Sequence, residues 1–206
     1  MPTTKILNGM QGFQERFRAD PERLVRLATE GQHPQVLMVA CSDSRVAPEL
    51  ITGAELGDLF VVRTVGNLVP PYGTGEAAIG TAVEYAILHL HVQHVVLCGH
   101  TRCGCLAALE SPPDSGREPH IARWIELARP AKTKAEASGL PPEELPMAVI
   151  RENVLLQMEN LRSYDAVRHA ERAGTITLHG WVYHLETGEV EAYDAGSGSW
   201  GALSAG

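Results

Sequence analysis

The stretch PQVLMVACSDSRV, residues 34–46, joins a continuous apolar run to a short polar loop. Its apolar part has the length and composition of a strand that is buried on both faces of a parallel sheet. LFVVRTV at residues 59–65 and HVVLCG at residues 94–99 have the same character. A loop rich in proline and glycine, residues 67–75, and a segment of helical composition, residues 76–90, lie between them. Strands that alternate with helices predict an α/β fold with a mostly parallel central sheet flanked by helices.

Both ends of the chain add further elements to this pattern. An amphipathic segment near residues 6–17 and a second segment that runs from an Asp-Pro start to Gly31 predict an N-terminal helical arm. Residues 119–161 have mainly helical composition. The β-rich stretch 175–185, followed by a turn and the sequence EVEAYD, predicts an added C-terminal edge strand or hairpin.

Length and composition set the limits for the whole chain. With 206 residues and 44% hydrophobic content, the chain can bury a sizeable core in one domain. We therefore predict a single domain over residues 1–206, with the helical arm at 1–31 and the α/β core at 32–206. The net charge of −8 argues against nucleic acid and anionic membranes as partners. No signal peptide and no apolar run of roughly 20 residues are present, so we expect a cytoplasmic protein without a membrane partner.

The four cysteines are unevenly placed along the chain. Cys41 follows the first predicted strand, whereas Cys98, Cys103 and Cys105 fall within eight residues, in the stretch CGHTRCGC. This spacing is too close for an ordinary disulfide framework and favours metal binding or thiol chemistry. For Cys98 and Cys105 we expect structural roles, as core filling and as packing in a first helical turn.

Cys41, His100 and Cys103 have the pattern of a catalytic zinc site. Both stretches follow predicted parallel strands, whose carboxyl ends form binding sites in α/β folds. His100 and Cys103 are close to one helical turn apart, and a helix predicted to begin near Thr101 would favour a Cys103 thiolate. Zn²⁺ takes tetrahedral nitrogen and sulfur ligands, and a catalytic site leaves one position for water. A single cysteine or histidine is usually structural, but the joint placement of these three residues at two strand ends favours a metal-ligand set. Gly104 lies next to Cys103, where the backbone comes close to the metal.

Asp43 and Arg45 lie just after Cys41 and allow two interpretations. Ser42, Asp43 and Ser44 are all residues that cap helices, which would leave Arg45 as a surface side chain. Alternatively, Asp43 and Arg45 form an ion pair in the metal pocket, in which Arg45 keeps the carboxylate ionised and away from the open metal position. Residue spacing alone does not separate these interpretations.

The stretch Cys41-Ser-Asp-Ser-Arg45, together with Gly99-His-x-x-Cys-Gly104, resembles the β-class carbonic anhydrases. The sequences FVVRTVGNLVPPY and AVEYAILHL also resemble that family, and the likeness covers most of the chain. The resemblance implies one Zn²⁺ per chain, held by Cys41, His100 and Cys103 in the core, with Asp43 and Arg45 as the catalytic pair beside it. The aspartate of such a pair either binds the arginine or moves onto zinc as a fourth ligand.

The resemblance also implies a pocket for CO₂ and bicarbonate. Residues of the plant-type branch match Gln32, Phe60, Val65 and Tyr85, and Gly104 completes the substrate-binding set. Gln32 would hydrogen-bond the substrate or bicarbonate. The three larger apolar and aromatic side chains would line a small space suited to CO₂.

The predicted function is that of a carbonic anhydrase (carbonate dehydratase, a zinc lyase). The resemblance implies reversible hydration of CO₂ to bicarbonate and a proton, by attack of zinc-bound hydroxide on CO₂. It also implies a homodimer or homotetramer, with N-terminal helices wrapping a neighbour. Two alternatives remain: another zinc hydrolase on the same fold, for example one acting on carbon disulfide, or a non-catalytic zinc-binding or shell-associated protein. A thiol phosphatase is a poor fit, because only three residues separate Cys41 from Arg45.

Overall fold

The computed structural model of the chain describes residues 2–74 and 77–203. The chain divides into two compact units, Met1–His33 and Pro34–Gly206. The helices are α1 (Pro2–Ala19), α2 (Pro21–Glu30), α3 (Pro48–Thr52), α4 (Ala77–Leu88), α5 (Gly104–Ala107), α6 (Pro119–Ile125), α7 (Arg129–Glu136), α8 (Leu145–Arg162) and α9 (Asp165–Arg172). The strands are β1 (Val36–Cys41), β2 (Leu59–Thr64), β3 (His94–His100), β4 (Thr177–Tyr183), β5 (Val190–Asp194) and β6 (Ser199–Ala202).

The first unit contains the two helices of the predicted N-terminal arm. α2 begins at Pro21 and is followed by Gly31, whose φ of 84° lies in the region that favours glycine. The start and stop signals read from the sequence are therefore confirmed for this helix. In α1 the rings of Phe13 and Phe17 lie with their centroids 4.4 Å apart.

In the second unit, the strands of the described residues form one six-stranded sheet in the order β2-β1-β3-β4-β5-β6. β1 pairs in parallel with both β2 and β3, and β3 pairs in parallel with β4. β5 and β6 are antiparallel and form the C-terminal edge. The predicted α/β class, with a mostly parallel sheet flanked by helices and an added C-terminal hairpin, is confirmed.

The two central strands are buried because helices cover the sheet. β1 is buried from Leu37 to Cys41 and β3 from Val95 to His100, as their continuous apolar sequences predict. α8 contacts β3 and β4, and α4 contacts β2. This order places the carboxyl ends of β1 and β3 side by side.

Several boundaries differ from the sequence-based predictions. Gly75, predicted to end a loop, and Glu76, predicted to begin a helix, lie outside the described residues. The helix predicted from Thr101 begins only at Gly104, and α9 was not predicted. None of the helices within the described residues combines the length and the apolar content needed to cross a membrane.

Candidate metal centre and active site

Three buried side chains meet at the carboxyl ends of two adjacent strands. Cys41 ends β1 and His100 ends β3, and Cys103 follows after the turn Thr101–Arg102. The Sγ atoms of both cysteines and a ring nitrogen of His100 lie within 4.8 Å of one another. In the part of the chain that the structure describes, no other group of three His, Cys, Asp or Glu side chains has this geometry. The structure therefore brings together the three residues that the sequence predicted as metal ligands.

The ring of His100 is held in one tautomer. Its Nδ1 lies 2.8 Å from the carbonyl oxygen of Thr101. Because a carbonyl oxygen can only accept, Nδ1 carries the hydrogen and the neutral ring has its lone pair on Nε2. Nε2 is buried and has no hydrogen-bond partner within the described residues. A buried acceptor without a partner costs free energy, so this atom fits a metal ligand.

Backbone and side-chain donors surround the sulfur of Cys41. The amides of Asp43 and Gly66 donate to its Sγ at 3.4 Å and 3.3 Å. A hydrogen bond from the Cys103 thiol lowers the pKa of Cys41 against the effect of burial, and the two backbone amides lower it further. The same interaction raises the pKa of Cys103. The shared hydrogen bond favours one thiolate within the pair, and a cation would favour the thiolate at both cysteines.

A turn, and not a helix, brings His100 and Cys103 together. Arg102 has a φ of 57°, in the left-handed region, and α5 begins after Cys103, at Gly104. With four residues, α5 is too short for a sizeable helix dipole. The helix was predicted to start near Thr101, and it starts at Gly104, with Cys103 as its N-cap. A backbone hydrogen bond from Leu106, in this first turn, favours the Cys103 thiolate but does not offset the effects of Cys41 and of burial, which raise the pKa of Cys103.

Asp43 and Arg45 form an ion pair on the loop after β1. Nε and Nη2 of Arg45 donate to Oδ1 and Oδ2 of Asp43 at 2.9 Å and 2.7 Å. These hydrogen bonds hold the pKa of Asp43 well below its ordinary value. Oδ2 of Asp43 lies 4.0 Å from Nε2 of His100. The alternative in which Asp43 caps a helix is wrong, because α3 begins at Pro48 with Ala47 at its N-cap.

Two arginines connect this loop to its surroundings. Arg63, on β2, donates to the carbonyl oxygen of Cys41 at 3.0 Å and to that of Asp43 at 2.7 Å. Arg45 also donates to the carbonyl oxygen of Arg102, at 3.2 Å. The loop is thus connected both to β2 and to the turn after β3. These contacts leave no local pattern in the sequence, since they depend on which backbone oxygens the fold brings near.

Gly66 presents its amide to Cys41 in a conformation that favours glycine. Its φ is 75°, and a Cβ at this position would lie 2.6 Å from Sγ of Cys105. Its carbonyl oxygen accepts a hydrogen bond from Nδ2 of Asn153 at 3.2 Å. Cys105 therefore packs against Gly66. Burial raises the pKa of Cys98 and of Cys105 to about 12, so both stay protonated thiols.

Three amide side chains of α8 hold the segment that follows β2. Asn153 and Gln157 are fully buried, and Nε2 of Gln157 donates to Oδ1 of Asn153 at 3.0 Å. Gln157 accepts from the amide of Val69 at 2.8 Å, and Asn160 donates to the Val69 carbonyl at 2.8 Å. Their spacing places them on one face of the helix. Sequence analysis missed this group, although amides at buried positions of a helix are themselves a signal of hydrogen bonding.

The five residues predicted to bind substrate have different surroundings. The rings of Phe60 and Tyr85 lie with their centroids 6.0 Å apart. Val65 follows β2 directly and is 50% exposed, and Gly104 is the exposed first residue of α5. Gln32 is exposed and belongs to the first unit. Of these residues, the structure brings Phe60 and Tyr85 into mutual contact.

Comparisons with known proteins agree on one family. Residues 36–190 match the family model described as carbonic anhydrase. A carbonic anhydrase of Pseudomonas aeruginosa is 40% identical over 194 residues, which cover 93% of this chain and 88% of the relative. The solved structure of the β-carbonic anhydrase CcaA is 36% identical, with a TM-score of 0.91 and coverage of 98% of this chain and 100% of that one.

A second solved structure extends this agreement to fungal proteins. A tetrameric β-carbonic anhydrase of Sordaria macrospora is 26% identical, with a TM-score of 0.79 and coverage of 97% of each chain. The family match spans both strand ends that form the cluster, and the structural matches cover nearly the whole chain. The chain is an enzyme that belongs to the carbonic anhydrase family, in its β class.

Proposed function

We propose that this enzyme holds one Zn²⁺ per chain and uses it for the reversible hydration of CO₂ to bicarbonate and a proton. The main support is the unpartnered Nε2 of His100, buried beside the Sγ atoms of Cys41 and Cys103. One nitrogen and two sulfur donors are a ligand set typical of zinc, and three protein ligands leave a position for reaction. Zinc bound there supplies a Lewis acid that lowers the pKa of a coordinated water to about 7.

Asp43 is proposed to orient the attacking oxygen. Its carboxylate is ionised because Arg45 donates to both oxygens. Oδ2 lies 4.0 Å from Nε2 of His100, so an oxygen atom between the cluster and Asp43 can donate a hydrogen bond to that carboxylate. Arg45 then has two effects: it keeps Asp43 charged, and it holds the carboxylate away from the metal ligands. Asp43 and Arg45 are accordingly the catalytic pair of the proposal.

The substrate is proposed to bind beside this pair. Phe60, Val65 and Tyr85 offer apolar and aromatic surface that suits uncharged CO₂, and Gly104 leaves open space next to the cluster, because nothing lies within 4 Å of a Cβ built there. Gln32 is proposed to hydrogen-bond the substrate or bicarbonate through its amide. A site of this composition combines a small apolar wall with a few polar contacts.

We further propose that the enzyme works as a homodimer or homotetramer. Apolar side chains of α1 are exposed, among them Ile6 at 65%, Met10 at 54% and Phe13 at 41%. Exposed apolar side chains on one helix are typical of a protein interface. The tetrameric enzyme of Sordaria macrospora supports an assembly of this kind. We also propose that residues 1–206 form one domain, with residues 1–31 as an arm, and that the enzyme is cytoplasmic.

The test is to measure metal content and CO₂ hydration together. Cys41→Ser and His100→Ala each remove a proposed ligand, and both variants should lose zinc and CO₂ hydration. Cys98→Ser is the matched control, because Cys98 is buried on the same strand as His100 but lies outside the cluster. A His100→Ala variant that loses zinc and still hydrates CO₂ at the wild-type rate would contradict the proposal.

A further inference from the structure

Trp124, on α6, is connected to the cluster through one peptide group. Its indole Nε1 donates to the carbonyl oxygen of Val65 at 2.8 Å. That carbonyl and the N–H of Gly66 belong to the same peptide group, which is planar because of its partial double bond. The N–H of Gly66 in turn donates to Sγ of Cys41 at 3.3 Å. A hydrogen bond to one end of this peptide group thus acts at its other end, on a proposed metal ligand.

The physical effect of such a connection has a definite direction. A hydrogen bond accepted by the carbonyl polarises the peptide group and makes its N–H a better donor, by about 10–30% per bond. A stronger N–H···S hydrogen bond withdraws electron density from the sulfur. Hydrogen bonds around a ligating cysteine sulfur are a known means of tuning a bound metal. The indole of Trp124 should therefore reduce electron donation from the Cys41 thiolate to the metal.

The local structure holds this peptide group in place. Gly66 is fixed on its other side by the hydrogen bond from Asn153 to its carbonyl oxygen, at 3.2 Å. Cys105 occupies the space beside its Cα. Trp124 is half-buried and packs against the core, so its indole is itself held. The peptide group before Gly66 thus lies between two hydrogen bonds, one from the indole N–H to its oxygen and one from its own N–H to Sγ of Cys41.

We propose that Trp124 is a positioning residue of the metal centre, whose indole N–H orients and polarises the Val65–Gly66 peptide group toward the Cys41 thiolate. The proposal rests on the zinc site proposed above. Trp124 touches neither the metal nor the substrate in this proposal and acts only through the peptide group. A role of this kind alters the electronic state of the sulfur, which a purely structural side chain would not do.

The test uses enzyme in which cobalt(II) replaces zinc, because thiolate-to-cobalt charge-transfer absorption reports on the ligating sulfur. Trp124→Phe removes the indole N–H, which should shift the band to longer wavelength as the sulfur lone pair rises in energy. Trp200→Phe is the matched control. Trp200 lies against Tyr193 and Arg151, with its ring 5.4 Å from that of Tyr193, and should leave the band unchanged. An unchanged band in folded Trp124→Phe would overturn the proposal.

A second replacement keeps the test valid if the phenylalanine variant does not fold. Incorporation of 3-benzothienylalanine at position 124 keeps the shape of the side chain and replaces the N–H with sulfur. The same shift to longer wavelength is expected, and its absence would overturn the role of Trp124. If wild-type enzyme shows no thiolate-to-cobalt band at all, the proposed metal site fails instead. These two failures are therefore distinguishable in one set of spectra.

Discussion

Arg45 binds both carboxylate oxygens of Asp43, with Nε 2.9 Å from Oδ1 and Nη2 2.7 Å from Oδ2. The backbone amide of Arg45 also donates to Oδ1, at 2.9 Å. The same guanidinium reaches the carbonyl oxygen of Arg102, in the turn between His100 and Cys103. The position of the carboxylate is therefore coupled to the turn that orients two of the three cluster residues.

Removal of the Asp43 carboxylate should separate metal binding from catalysis. Asp43→Ala leaves all three cluster side chains intact, so zinc content should stay at the wild-type level. The turnover number for CO₂ hydration should fall by about 10²-fold or more, the usual range for a lost acid–base group. Stopped-flow hydration and metal analysis check this. Asp114→Ala, at an exposed aspartate outside the cluster, is the control. Full activity in Asp43→Ala would show that Asp43 has no catalytic role.

Gly66→Ala should be much more destabilising than Gly53→Ala. Both glycines have positive φ, 75° and 66°, so both substitutions strain the backbone, by about 1–2 kcal/mol. Only at Gly66 would the new Cβ meet another side chain, Sγ of Cys105 at 2.6 Å. This overlap should add about 1–3 kcal/mol to the loss in free energy of unfolding.

Denaturant titration measures the difference between these two variants. The double variant Gly66→Ala with Cys105→Ala should recover part of the lost free energy of unfolding, because it removes the Sγ contact at 2.6 Å and keeps the contact at 2.9 Å with Cβ of residue 105. If Gly66→Ala and Gly53→Ala lower the free energy of unfolding equally, Cys105 does not restrict the side chain at position 66.

Glu186 should contribute to stability in a pH-dependent way. Hydrogen bonds from Oγ1 of Thr101 at 2.6 Å and from Nε of Arg102 at 2.8 Å lower the pKa of Glu186 from 4.5 to about 2. Since the folded-state pKa is the lower one, this contribution is fully present above about pH 4.5 and is lost as the pH falls toward 2. Glu186→Gln should remove it.

Unfolding free energies measured between pH 7 and pH 2.5 test this prediction. The difference in free energy of unfolding between wild type and Glu186→Gln should be constant near neutral pH and should become smaller below about pH 4.5. Glu143→Gln, at another exposed glutamate, is the control. A difference that does not change with pH would contradict the role assigned to the Glu186 charge.

Metal removal should lower the thermal stability of the protein. An ion that binds only the folded chain stabilises it by about 2.7 kcal/mol at a concentration 100 times its Kd. The midpoint of thermal unfolding should therefore fall after treatment with a strong chelator and rise again on addition of Zn²⁺. Mg²⁺ should not restore it, because that ion prefers oxygen ligands. A midpoint that is the same with chelator and with Zn²⁺ would argue against a zinc site.

The sheet was predictable because its central strands are continuous apolar runs. β1 and β3 are buried on both faces, and a sequence such as VLMVAC admits few other structures of that length. The cluster followed from the same reasoning, since Cys41 and His100 end neighbouring parallel strands. Their assignment as metal ligands needed the spacing of two distant stretches and the resemblance to a family.

The remaining parts of the site depend on contacts between distant residues. Arg102 adopts a positive φ without being a glycine, so the sequence contains no turn signal at this position and favours a helix from Thr101. Trp124 and Asn153 donate to backbone oxygens 59 and 87 residues away in the sequence, so no local sequence pattern predicts these hydrogen bonds. Propensity and periodicity describe neighbours along the chain, whereas these contacts exist only after the sheet and α8 have come together.

The pairing of β3 with β4 also affects when the cluster becomes buried during protein synthesis. His100 pairs with Tyr183 on β4, so a strand that follows much later in the sequence completes the burial of His100. During synthesis all three cluster side chains leave the ribosome well before β4 does. We expect a nascent chain truncated before β4 to expose these side chains to solvent and to competing ions, because non-local pairing is slow. Metal selection would then depend on when β4 leaves the ribosome as well as on the finished site.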